Sequence, residues 1–159
     1  MSRIGLADGG ETTVYVVVHP RRATRMRVTC FEEARRLDHW VVVDDDDREG
    51  FSSAVGQFDS DITAERHPRC ALGVNEDELF AVCCDGRRTG VDAGLDLAEL
   101  ARLLVSLGAT DAINLDGGGS ATLVHRGHLL NRPYTSVDQP GPESRPVVTA
   151  LVFDSLPSG

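Results

Sequence analysis

The sequence contains no lysine; its sixteen cations are all arginine. That absence excludes a Schiff-base mechanism, a lysine general base and the lysine of a phosphate-binding P-loop. No apolar run approaches the ~20 residues of a membrane-spanning helix; the longest are Val14–Val18 and Trp40–Val43. The opening residues lack the apolar core of a secretory signal, so a cytoplasmic protein is expected. No two of the four cysteines (Cys30, Cys70, Cys83 and Cys84) form a Cys-x-x-Cys pair, which removes the usual zinc and thioredoxin-like signatures. They are expected to be reduced and mostly buried, acting as small apolar residues. Basic charge is short as well: sixteen cations face twenty-five carboxylates, for a net −9. A nucleic-acid partner would call for a clustered basic face, so none is expected, and neither is a membrane partner.

What is present suits one domain spanning 1–159. A chain of 159 residues, 41% of them hydrophobic, is long enough to bury its own core. Valine-rich Thr12–His19 and Thr24–Cys30 read as strands on either side of Pro20-Arg21-Arg22. Phe31, Ala34, Leu37 and Trp40 fall at helical spacing, followed by a buried strand at Trp40–Val43. Cys70–Val74 and Glu78–Cys84 flank Asn75-Glu76-Asp77 as a hairpin. Asp96–Leu107 is the clearest helix: Asp96 and Glu99 form a capping box, and the leucines make one stripe. Gly108 stops it. Asp111–Leu115 is a strand, Ala121–His125 and His128–Asn131 pair across Arg126-Gly127, and Val147–Phe153 closes the chain. Strands cluster in hairpins instead of alternating with helices. The expected class is α+β, mainly antiparallel sheet with two helices.

The segment richest in chemical information is Asn114-Leu-Asp-Gly-Gly-Gly-Ser-Ala-Thr122. Three consecutive glycines are costly in backbone entropy, so either the turn demands positive φ or a ligand approaches the main chain. Exposed N–H groups of Gly117, Gly118 and Gly119 would form an anion-binding nest. Asn114 and Asp116 alternate with Leu115 and so share a face at the strand end. The motifs of P-loops, dinucleotide folds and nucleophile elbows are missing here, which leaves Ser120 a poor nucleophile. His125 and His128 face each other across a hairpin and read as a cross-strand pair, with no metal implied. Asp44–Asp47 reads as a solvated loop.

Asn114–Thr122 resembles the signature of the phosphodiester glycosidase family. The resemblance extends over 68–153. His67-Pro-Arg-Cys-Ala-Leu-Gly-Val74 is similar to the family's Pro-Arg-Thr-Ala-x-Gly strand, Cys84-Asp-Gly-Arg87 to its Asp-Gly-Arg turn, and Gly94–Ala101 to its helix start. Asn131-Arg-Pro133 and Arg145-Pro-Val147 match its closing elements. One departure stands out: Asp44-Asp-Asp-Asp-Arg-Glu-Gly occupies the place of the family's Asn-Gly-Gly-Phe-Phe.

The resemblance implies a hydrolase that cleaves the bond between an anomeric carbon and a phosphodiester, with a small sugar phosphodiester as partner and no organic cofactor. A phosphate leaving group needs charge stabilisation more than protonation, which arginines and backbone N–H groups supply. Arg69, Arg87, Arg132 and Arg145 lie in matching motifs beside Gly117–Gly119, with Asn114, Ser120 and Asp44 as further candidate contacts. The oxocarbenium-like centre needs a carboxylate as nucleophile or base; Asp116 is the first candidate and Asp85 the second. The missing element leaves two alternatives open: a sugar-phosphate-binding module without hydrolysis, or an enzyme acting on a nucleotide-linked or natural-product sugar phosphate.

Overall fold

Glu11–Pro20 alternates side chains across a strand, and its β-branched residues serve both faces. Val14 and Val16 turn toward one side, Thr13 and Tyr15 toward the other, so the segment suits the middle of a sheet. In the computed structural model, which describes residues 1–30, 65–134, 147 and 149–155, this is β2. The remaining elements are β1 (Ser2–Gly5), β3 (Thr24–Cys30), β4 (Arg69–Val74), β5 (Glu78–Cys84), α1 (Leu97–Ser106), β6 (Asp111–Asn114), β7 (Val124–His125), β8 (His128–Leu129) and β9 (Thr149–Ser155). The main sheet runs β1-β2-β5-β4-β6 with every pair antiparallel. β3 pairs with β9 in unbroken register from Thr24↔Ser155 to Cys30↔Thr149.

The core lies between one face of the main sheet and α1. Val14, Ala71, Phe80, Val82 and Cys84 meet Leu97, Leu100 and Leu104 there. Each of the three buried helix leucines contributes about 1.5–3 kcal/mol relative to exposure. Asp96 accepts from the Glu99 N–H and Glu99 bonds back to the Asp96 N–H, closing the expected capping box. Gly108, at φ +90°, ends the helix. Gly73 lets the helix end approach the sheet, since a Cβ there would lie 3.0 Å from both Ala109 and Leu104.

Two features differ from expectation, β1 and the late hairpin. The described residues contain one α-helix, so a second is not supported; the helix expected at Phe31–Trp40 and the strand at Trp40–Val43 lie outside the described residues. β1, not anticipated from its polar sequence, is fastened by Arg3, which donates to Glu11, Thr13, Asp92 and the Val91 carbonyl. The late hairpin is shorter than expected. Arg126 and Gly127 both take positive φ, as a type I′ turn requires, but only Val124–His125 and His128–Leu129 pair as strands. Beyond them the Asn131 side chain substitutes for a strand, accepting from the Leu123 N–H and donating to the Ala121 carbonyl. Among the described residues no helix is long and apolar enough to cross a membrane.

Candidate functional site

At one end of the main sheet, His67-Pro68-Arg69 threads between three glycines. A Cβ on Gly86 would stand 2.6 Å from the Pro68 nitrogen, one on Gly94 2.5 Å from the His67 oxygen, and one on Gly117 2.7 Å from the Pro68 oxygen. His67 and Leu95 exchange backbone hydrogen bonds of 3.1 and 3.0 Å. Three loops therefore meet the start of β4 backbone to backbone, at distances only glycine permits. At Gly117 the reason is space alone, since its φ is −123°. At Gly118 it is both conformation and cover: φ is +58°, and the Arg87 guanidinium lies over it, with Nη1 3.5 Å from where a Cβ would be.

Arg87 is the most strongly positioned exposed cation here. Its backbone is left-handed at φ 56°, a conformation costing an L-residue roughly 1–2 kcal/mol. Its Nε donates to His67 Nδ1 at 3.0 Å, a bond that requires Nδ1 to carry no proton. Its guanidinium sits 5.6 Å from the Tyr134 ring centroid, within cation–π range. A strained, exposed arginine held from both sides over a glycine turn is an arrangement suited to an anion.

The glycine turn is not the open nest that was expected. Its N–H groups serve the fold: Gly117 donates to Asp116 Oδ1, Gly118 to the Pro68 carbonyl, Ser120 to Gly117 and Ala121 to Gly118. From Gly117 to Ala121, only the Gly119 N–H has no acceptor among the described residues. The first duty of Gly117 is thus close packing against Pro68, and the charge available to an anion comes from Arg87. The Thr122 hydroxyl just beyond is buried and has no hydrogen-bond partner among the described residues.

The two candidate carboxylates occupy contrasting places. Asp116 is exposed at the mouth of the turn, with one oxygen accepting from Gly117. Asp85 is 1% exposed and accepts from the Tyr15 hydroxyl at 3.1 Å and the Arg132 N–H at 2.8 Å. Burial raises its pKa above the ordinary carboxylate value, against the pull of those two donors. Burial and the neighbouring Asp85 charge likewise push Tyr15 up to about 12. Asp85 thus ties the Arg132–Tyr134 segment to β5, and with it the ring that supports Arg87.

The other candidates separate clearly. Arg69 is 4% exposed and donates from Nε to the Leu95 carbonyl and from Nη2 to the Glu65 carbonyl, so it braces the loops behind the site. Desolvation lowers its pKa. Arg132 and Asn114 are exposed, the latter at the end of β6; Ser120 is buried in the turn. Arg145 and Asp44 lie outside the described residues. Among the described residues no group of three or more His, Cys, Asp or Glu side chains is arranged to hold a metal ion. His125 and His128 are cross-strand partners, with His125 edge-on to His19 at 6.5 Å. His67, Tyr134 and Tyr15 were not anticipated as site residues. The His67-Pro-Arg run was a visible signal for the first; nothing local pointed to the two tyrosines.

Comparison with known proteins places this geometry in context. A family model for phosphodiester glycosidases matches residues 2–154. The catalytic domain of zebrafish N-acetylglucosamine-1-phosphodiester alpha-N-acetylglucosaminidase, solved in a form auto-inhibited by its pro-peptide, is similar in structure. Its TM-score is 0.52 at 29% identity, covering 68% of this chain and 34% of that one. A hypothetical protein from Synechocystis gives 0.50 at 32% identity over 64% of this chain and 18% of its own. A Burkholderia pseudomallei protein described as exported gives 0.48 at 34% identity over 58% of this chain and 16% of its own. The chain therefore spans only 16–34% of the length of these solved structures. The likeness lends the cytoplasmic expectation no support. A search of curated proteins finds no match.

Proposed function

The chain belongs to the phosphodiester glycosidase family, and from that membership we propose that it hydrolyses a sugar-1-phosphodiester at the bond between the anomeric carbon and the phosphodiester oxygen. The observation that supports this most is Arg87, fixed by His67 and Tyr134 over Gly118, a glycine that follows the exposed Asp116 in the same turn. Arg87 takes the charge that develops on the departing phosphate, a task matched to a rigid guanidinium fork. Arg132, exposed and in the same segment as Tyr134, is the second cation proposed for the phosphate. Asp116 faces the anomeric carbon as nucleophile or as base for water. Asp85, buried and doubly hydrogen-bonded, is reassigned from catalysis to positioning. No step calls for an organic cofactor.

A second reading, a module that holds a sugar phosphate without cleaving it, is favoured by one feature: Asp44–Asp47 stands where the family carries Asn-Gly-Gly-Phe-Phe. A panel of sugar-1-phosphodiesters, nucleotide-linked sugars included, separates the two when products are followed by mass spectrometry and binding by thermal shift. Release of free sugar from a panel member supports the hydrolase. Thermal stabilisation by sugar phosphates with no product from any diester supports the module.

A further inference from the structure

Cys70 and Cys83 are directly opposite each other on β4 and β5, with their sulfurs 3.2 Å apart. The backbone determines what kind of pair they make. The Cys70 carbonyl accepts from the Leu115 N–H, and the Val74 carbonyl, of the same parity, accepts from Thr110. The main-chain groups of Cys70 therefore point toward β6. On β5, the Asp85 N–H donates to the Thr13 carbonyl, so Cys83, two residues earlier, turns its groups toward β2. Cys70 and Cys83 thus form a non-hydrogen-bonded pair, the close kind, with Cα atoms about 4.5 Å apart. That separation lies within the roughly 4.4–6.8 Å a disulfide spans. Cys84 belongs to the other face: it packs in the core beside α1, its sulfur 3.7 Å from the His67 carbonyl. Alternation along β5 therefore presents Cys83, and not its neighbour, to Cys70.

We propose that Cys70 and Cys83 are a reversible oxidation site, closing a disulfide across β4 and β5 when a peroxide is the oxidant. Cys70 is partly exposed and Cys83 fully buried, which sets the order of events. The Cys70 sulfur attacks a peroxide oxygen and the O–O bond breaks, giving Cys70 sulfenic acid and water. The Cys83 sulfur then attacks the Cys70 sulfur, and the S–O bond breaks; the oxygen leaves with the Cys83 proton as a second water. Two thiols lose two electrons in all and hydrogen peroxide becomes two waters. A dithiol reductant reverses the reaction.

The pair is carried by the neighbouring strands β4 and β5 of the main sheet. It adjoins the candidate site without depending on the proposed activity. Cys70 follows Arg69 in β4, and its sulfur lies 4.0 Å from the Thr122 carbonyl behind the glycine turn.

The test treats the reduced full chain with hydrogen peroxide, alkylates remaining thiols and digests it. Trypsin leaves 70–87 as one peptide, and cleavage after Glu76 and Glu78 then separates Cys70 from Cys83 unless a disulfide joins them. The expected result is a joined pair two hydrogens lighter, released by dithiothreitol, retained in Cys84→Ser and lost in Cys83→Ser. Should Cys83→Ser not fold, fragment ions from the unmutated chain that break between Cys83 and Cys84 assign the partner. Separate alkylated fragments, a Cys70 sulfinic acid without joining, or a link to Cys84 would overturn the proposal.

Discussion

Alanine at Gly94, Gly117 and Gly90 separates the two reasons for which this fold uses glycine. At Gly90, φ is +72° and no atom lies within 4 Å of an added Cβ. Only the left-handed backbone is penalised there, by roughly 1–2 kcal/mol, offset by about 0.4–1 kcal/mol from a less flexible unfolded chain. A net loss of about 1 kcal/mol is expected. At Gly117 the backbone is unstrained, but the Cβ would stand 2.7 Å from the Pro68 oxygen, itself held by the Gly118 N–H. Overpacking of this kind costs about 1–3 kcal/mol. At Gly94 both apply, with φ at +89° and three His67 backbone atoms within 2.9 Å, so the loss should reach about 2–4 kcal/mol. Urea or thermal unfolding measures all three. The order Gly94 > Gly117 > Gly90 is expected, and Gly117→Ala should also weaken phosphate binding by displacing the turn beneath Arg87. A Gly94→Ala protein no less stable than Gly90→Ala would refute the close threading of His67-Pro68-Arg69.

Arg87→Lys keeps the charge but loses the fork and the Nε bond to His67, so inhibition or stabilisation by phosphate should weaken about tenfold; an unchanged constant would remove Arg87 from the site. Asp116→Asn should slow turnover roughly 10²–10⁴-fold while phosphate affinity changes little; an unfolded variant would instead make Asp116 a structural cap on Gly117. Burial, and then the charge of His125, hold the His19 pKa below the usual histidine value. The unfolded chain therefore takes up that proton first, so stability is full above about pH 6.5 and falls as pH drops through the depressed value. His19→Gln should flatten this part of the melting-temperature profile, and an unchanged slope would count against it.

Features set by neighbours in sequence were legible before the structure. Asp96 and Glu99 announce their capping box three residues apart, Gly108 ends the helix it follows, and Arg126-Gly127 makes the turn its composition demands. β5 begins and ends where its valine, phenylalanine and cysteines predict. What stayed hidden depends on partners distant in sequence. Arg3 secures a polar β1 through Asp92, eighty-nine residues on. Asp85 reads locally as a turn residue; its burial follows from Tyr15 and Arg132, seventy and forty-seven residues away. Gly117 and Gly118 each need a bare backbone, one for space and one for its left-handed φ. The body that approaches Gly117 is Pro68 of the same chain, which no spacing rule discloses.

Hydrolysis of an accepted sugar-1-phosphodiester in heavy-oxygen water tests the central claim most directly, because the label records which bond the site breaks. With Arg87 stabilising a departing phosphate and Asp116 serving the anomeric carbon, the heavy oxygen should appear in the anomeric hydroxyl of the released sugar and not in the phosphate. Label in the phosphate would mean attack at phosphorus and would contradict the roles given to both residues.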